Sequence, residues 1–191
     1  MNKKTLKIGD VTLSGPVLLA PMEDVTDASF RGICREQGAD MTYTEFIPAE
    51  GLIRDARKAY AKLKTSDSEA PIGIQIYGSD PDAMVEAARM ADHAEEIVGG
   101  HGCDLIDINF GCPVSKIAGR GAGSGMMKDP DKMVMITRRI VEAVGKPVTV
   151  KTRRRSPPCS STTTARSPGA RTRPRPCTTP SCWRKSPKWR C

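Results

Sequence analysis

The chain has 191 residues and a formal charge of +8, but the charge is unevenly spread. Ten of its 30 basic residues and none of its 22 acidic ones lie in 154–191, which leaves 20 against 22, a net of −2, in 1–153. The body is nearly neutral, so the overall basicity is no argument that the body binds nucleic acid. Nothing near Met1 has the apolar run of a secretory signal, and no run approaches the roughly 20 residues of a membrane span. The expectation is a cytoplasmic protein with reduced thiols, without a membrane or a stable protein partner.

Residues 5–13 read as a small β-hairpin turning at Gly9-Asp10, a lead-in or plug. Apolar, β-branched runs then alternate with segments of helical spacing. The runs are 17–20, 41–46, 72–77, 105–109 and 147–151; the helical segments are 27–37, 48–63, 81–98 and 130–144. Thr26-Asp27 supplies a cap for the first helix. Asp80-Pro81 and Asp129-Pro130 each place a capping carboxylate before a proline at the first turn. Gly38 and Gly145 stand where helices stop.

Strands alternating with helices imply a parallel sheet covered by helices. An open doubly wound sheet and a (β/α)8 barrel both fit. No Gly-x-Gly-x-x-Gly follows the first strand, and Ala20-Pro-Met-Glu-Asp24 sits at its C-terminal end, where a barrel builds its active site. The expected fold is therefore an α/β TIM barrel. It is incomplete, because about five β/α units are used by Arg153 and a full barrel takes about 250 residues.

Residues 154–191 contain no Val, Ile, Leu, Met or Phe, but seven prolines, twelve Ser or Thr and both tryptophans. Such a segment cannot bury enough apolar surface to offset its ordering entropy, and disorder is expected. Its Arg, Pro, Ser, Thr, Ala, Cys and Trp are what GC-rich coding DNA yields in a wrong frame, which points to a frameshift near codon 154. The division is thus 1–153, a partial barrel, and 154–191, a basic tail. The tail has neither a Cys-x-x-Cys pair nor a histidine, and no metal site is expected.

The strongest chemical signal is Asn109-Phe-Gly-Cys-Pro113 at the end of the fourth strand, followed by Gly119-Arg-Gly-Ala-Gly-Ser-Gly125. A cysteine just past a parallel strand, between Gly and Pro, is displayed at the mouth of the fold. The glycines after it suit a flexible lid or the approach of a large substrate. Cys34 falls among core positions of the first helix and Cys103 begins a strand, and both are expected to be structural. His93 belongs to a solvated helix face and His101 to a turn.

Leu19-Ala-Pro-Met-Glu-Asp-Val-Thr-Asp27 and Asn109-Phe-Gly-Cys-Pro113 resemble the opening and catalytic motifs of the tRNA dihydrouridine synthases. Gln75-Ile-Tyr-Gly78 and Val150-Lys-Thr-Arg153 match in order and at strand ends. The resemblance covers about residues 6–153 and is nearest to the bacterial B-type branch. It implies an FMN-containing barrel that reduces uridine in tRNA to 5,6-dihydrouridine with electrons from NADPH.

By this resemblance Cys112 is the proton donor to uracil C5, and Asn109 helps hold the uracil. Pro21, Met22 and Glu23 lie against the flavin, Gln75 bonds its ring edge, and Lys151 stands near the ring and ribityl chain. Lys116, Arg120 and Arg153 are candidates for contact with tRNA phosphates. A free thiol titrates near about 8.5 and is mostly protonated at neutral pH, as a proton donor must be. The resemblance also implies flavin contacts on later strands that 154–191 does not match, so the chain as written is expected to fold poorly and to show little activity. Two other readings stay open: an FMN barrel related to dihydroorotate dehydrogenase, and a non-catalytic protein binding nucleic acid through its basic tail.

Overall fold

The computed structural model describes residues 5–152, so the expectations for Arg153 and for 154–191 fall outside it. Strands β1 (Leu6–Ile8) and β2 (Val11–Leu13) form the antiparallel hairpin expected at the N-terminus. Gly9 turns it with a φ of +56°, and a Cβ there would lie 2.5 Å from Pro147 Cγ. Only glycine satisfies both the left-handed backbone and that close approach.

The strand expected at 17–20 is reduced to a parallel bridge between Leu18 and Met41, with Leu19 N–H donating to Met41 O at 2.9 Å. Pro16 and Pro21 bracket the run and remove a backbone donor at each end, which limits how far it can pair. Helix α1 (Ala28–Glu36) follows as expected, its N-terminus capped by Asp27, which accepts from Phe30 N–H at 2.8 Å.

Of the run expected at 41–46 only β3 (Thr42–Tyr43) is a strand, and a second short strand, β4 (Ile47–Pro48), follows just beyond it. Both pair in parallel with β5 (Ile72–Tyr77), Tyr43 opposite Gly73 and Ile47 opposite Ile76. Three residues, Thr44, Glu45 and Phe46, therefore stand opposite two, Ile74 and Gln75, which is a one-residue bulge. Thr44 Oγ1 repairs the lost ladder bond by accepting from Gln75 N–H at 3.2 Å.

The helix expected over 48–63 is likewise split, into α2 (Ala49–Leu52) and α3 (Arg57–Leu63). Asp55 takes a φ of +55°, Ala56 N–H donates to Gly51 O and Asp55 N–H to Leu52 O. That pair of bonds around a left-handed residue is the Schellman termination. The helix expected over 81–98 divides at His93 into α4 (Pro81–Asp92) and α5 (Ala94–Val98).

Strand β6 (Leu105–Phe110) pairs in parallel with β5, and β7 (Val148–Thr152) with β6. Between them lie α6 (Ser115–Ala118), a 3-10 segment at Gly123–Lys128, and α7 (Pro130–Ala143), capped by Asp129. Alternation along the strands decides the rest. Ile74, Ile76, Ile106, Ile108 and Phe110 face the helices and join Met84, Ala88, Ile136 and Ile140 in the main core. Burying each of the Ile, Phe and Met side chains contributes about 1.5–3 kcal/mol.

Helices α2 to α5 and α7 all add residues to this one core. A doubly wound sheet would divide its helices between two faces. The opposite face carries Tyr43, Gly73 and Leu105 at its lower end, where they pack with Leu13 and Met41 above the hairpin residues Ile8 and Val11. The hairpin thus plugs the N-terminal end of the sheet. The fold is α/β, with a curled parallel sheet helix-covered on one side and polar toward the upper end of the other. Among the described residues no helix is long and apolar enough to cross a membrane.

Candidate active site

The upper end of the inner face is built from alternate residues of three strands. Gln75 on β5, Asp107 on β6 and Thr149 on β7 are in register, and Asn109 is in register with Lys151. Gln75, Asp107 and Asn109 are 0%, 5% and 1% exposed, so their polar atoms must be satisfied within the protein. Thr149 Oγ1 donates to Asp107 Oδ1 at 2.6 Å, Gln75 Nε2 donates to Asp107 Oδ2, and Asn109 Nδ2 donates to Gln75 Oε1 at 2.9 Å. Burial pushes the Asp107 carboxyl above its usual range, opposed by the hydrogen bonds from Thr149 and Gln75 and by the charge of Lys151.

Asn109 carries this row into the cysteine turn. Its Oδ1 accepts from Gly111 N–H at 3.0 Å and from Cys112 N–H at 2.9 Å. Cys112 is a free thiol, 7% exposed. The glycine-rich stretch holds it from the other side, with Ser124 N–H donating to Cys112 O at 2.9 Å. A Cβ on Gly123 would lie 2.8 Å from that same oxygen. Gly123 thus packs against the cysteine backbone, whereas Gly119 and Gly125 approach the backbone oxygens of Ser115 and Ala118 within the same stretch.

The remaining expected site residues separate. Lys151 is half-buried on the inner face and has no hydrogen-bonding or ion-paired side-chain partner among the described residues. Pro21 is buried, whereas Met22 and Glu23 are exposed in a turn closed by Thr26, whose hydroxyl and N–H both donate to Met22 O. Glu23 is tied to Lys62 at 2.5 Å, and the same ammonium lies 3.6 Å from Glu45. Lys116 and Arg120 line a cavity of about 620 Å³ at the strand ends, together with Glu23, Phe46, Glu50 and Tyr77. Cys112 does not line it.

Among the described residues the other thiols and the histidines fill structural places. Cys34 is half-buried in α1, and Cys103 is buried, its thiol pushed up to about 12 chiefly by burial. His93 marks the α4–α5 break, and His101 is bracketed by Asp67 at 3.0 Å and Asp104 at 3.1 Å. The residue that sequence reasoning missed is Asp107. Its signal was available: it lies two before Asn109 on a strand, and so on the same face.

A curled parallel sheet with a free thiol fixed at its C-terminal edge, above a buried row of amides and a carboxylate, defines an α/β protein of the half-barrel kind. The sequence model of the Dihydrouridine synthase (Dus) family matches residues 18–163, and the chain belongs to that family. It is 38% identical over 149 residues to a probable tRNA-dihydrouridine synthase of Rickettsia prowazekii, covering 78% of this chain and 43% of that protein. It is 37% identical over 148 residues to tRNA-dihydrouridine synthase B of Xanthomonas campestris, covering 78% and 42%. With the protein of that name from Pseudomonas aeruginosa the figures are 36% over 148 residues, 78% and 42%. The chain therefore spans less than half the length of these curated relatives. Family membership sets aside the dihydroorotate dehydrogenase reading; the reading through the basic tail lies outside the described residues.

Proposed function

We propose that this chain forms the thiol-bearing part, about five β/α units, of a (β/α)8 barrel that reduces uridine in tRNA to 5,6-dihydrouridine in the cytoplasm, with 154–191 a separate segment. The observation that carries the reading is the Asn109 carboxamide accepting from both Gly111 and Cys112 N–H, which fixes a thiol at the strand ends. FMN, when bound, supplies the hydride that reaches uracil C6 and takes its electrons from NADPH.

The residues present fit such a group. Gln75 keeps a second amide N–H for a ring edge, and the Lys151 ammonium can face an electron-rich ring and steady the charge it gains on reduction. Pro21 and Met22 offer an apolar edge, while Glu23 fits less directly, being held by Lys62.

Cys112 donates its thiol proton to uracil C5 as hydride arrives at the neighbouring carbon; the thiolate left behind is reprotonated from water. Asn109 holds the turn and steadies the uracil. A base stacked inside folded tRNA cannot reach the thiol, so the target uridine is flipped out. Lys116 and Arg120, which line the cavity at the strand ends, pair with phosphates, which predicts salt-sensitive binding; Arg153, the third candidate, falls outside the described residues.

The test is dihydrouridine formation, read by mass spectrometry of digested tRNA. It compares the 191-residue chain with a chimera joining residues 1–152 to the remaining length of the Xanthomonas relative. The chimera is expected to be active and to lose at least about 10²-fold with Cys112→Ala, the scale of a general acid; the 191-residue chain is expected to form little product. Equal rates for the chimera and its Cys112→Ala variant would sink the assignment of Cys112. Full activity of the 191-residue chain would sink the reading of these residues as one part of the site.

A further inference from the structure

The polar row across β5, β6 and β7 has a direction. At one end are the N–H groups of Gly111 and Cys112, which can only donate; at the other is the Asp107 carboxylate, which accepts at both oxygens, from Thr149 and from Gln75. Between them stand two carboxamides, each able to face either way. Only one arrangement satisfies all the contacts. The carboxylate draws the Gln75 amino group, which turns Gln75 Oε1 to Asn109. That oxygen draws the Asn109 amino group, which leaves Asn109 Oδ1 for the cysteine turn. Rotating either carboxamide would oppose two acceptors or two donors.

A carboxylate 5% exposed on an inner sheet face is costly to desolvate, and an apolar side chain of similar volume would fill the place at lower cost. Its presence there calls for a task that an apolar residue cannot do.

We propose that Asp107 is a positioning residue for Cys112: through Gln75 and Asn109 it sets the orientation of the carboxamide that fixes the thiol-bearing turn. Thr149 shares in this by holding the second carboxylate oxygen. Asp107 acts through the two amides and not by touching the thiol. This deepens the reading of Cys112 as proton donor and rests on it for its catalytic meaning, but the geometry can be tested without catalysis.

The experiment measures alkylation by iodoacetamide at each cysteine of the 191-residue chain, resolved by peptide mass spectrometry, with Cys103 as an internal standard. In Asp107→Asn the carboxylate is gone, Gln75 and Asn109 can reverse, and Cys112 is expected to react about tenfold faster, the scale of one to two net hydrogen bonds lost, while Cys103 stays slow. The decisive arm is Asp107→Asn combined with Gln75→Glu. In that pair the carboxylate sits one step nearer Asn109 and still accepts from its amino group, while the carboxamide introduced at position 107 can accept from Thr149 and donate to the new carboxylate. Cys112 should return to within about twofold of the parent rate. Thr149→Val, a milder change, should speed Cys112 by a few-fold.

Parent-like alkylation in Asp107→Asn, failure of the double variant to restore it, or equal acceleration of Cys103 would each overturn the proposal. The last would make Asp107 a residue of general stability. If Asp107→Asn does not fold, Thr149→Val read against the same standard decides the question in its place. If the alkylation pattern appears but the chimera with Cys112→Ala still reduces tRNA, the positioning stands and the functional reading fails.

Discussion

Asn109 is where the interior network meets the chemistry, and Asn109→Ala measures what the junction is worth. The side chain is 1% exposed and makes three hydrogen bonds. Truncation strands three buried groups, Gln75 Oε1 and the N–H groups of Gly111 and Cys112. A buried unsatisfied group costs about 1–3 kcal/mol. With each of the three at the low end of that range, the expected loss is about 3 kcal/mol. Urea denaturation of the 191-residue chain followed by circular dichroism reads it. With a slope of about 2 kcal/mol per molar, ordinary for a domain of this size, the midpoint should fall by roughly 1.5 M. Asn109→Asp sharpens the test. It keeps an oxygen for the two N–H groups but sets a carboxylate against Gln75 Oε1, acceptor to acceptor. Protonation restores a donor, so the folded-state pKa of the new acid is raised. The variant should be nearest to parent stability in acid and fall behind as pH rises past about 4, the unfolded value. An Asp variant as stable as the parent at neutral pH would refute the directed network.

Gly73→Ala sets a Cβ 2.6 Å from Tyr43 Cδ1 and 2.8 Å from Leu105 Cδ1, an overpacking expected to cost about 1–3 kcal/mol. A thermal melt should show the loss, and Leu105→Val on the same background should recover part of it. Arg31 and Glu69, 3% and 2% exposed, meet at 2.6 Å, so Glu69→Ala leaves a buried guanidinium without its carboxylate and should cost about 3–5 kcal/mol in urea denaturation. For His101, burial alone would lower the pKa, but hydrogen bonds to Asp104 and Asp67 and the charges of those carboxylates outweigh it, and the net shift is upward. Its contribution is complete below the unfolded value of about 6.5 and is lost as pH rises through the folded value. Asp67 is almost fully exposed and solvent screens that pair, so the effect should stay under about 1 kcal/mol. His101→Gln should flatten the stability profile above pH 6, and an unchanged slope would show that the pair of carboxylates does not hold the proton.

What could be read from the sequence was what local rules decide. Strands β5, β6 and β7 stood out because Ile72-Gly-Ile-Gln-Ile-Tyr77, Leu105-Ile-Asp-Ile-Asn109 and Pro147-Val-Thr-Val-Lys151 are apolar on the helix side and bounded by Gly, Pro and Asp. Helices α1 and α7 were legible through Asp27 and Asp129, which cap them as their positions imply. The breaks at Asp55 and His93 were not, since periodicity runs through both and neither is a strong helix breaker. The bulge opposite Gln75 depends on the pairing of two separate strands and leaves no trace in either one alone. Asp107 failed to register for the same reason. Its parity was plain, yet a lone aspartate in an apolar strand is ambiguous until register places Gln75 on one side and Thr149 on the other. Cys112 could be found from its motif. What holds Cys112 comes from residues as far apart as 75 and 149, and only the sheet brings them together. A substitution two strands away should therefore be able to change the reactivity of a cysteine whose own motif is intact.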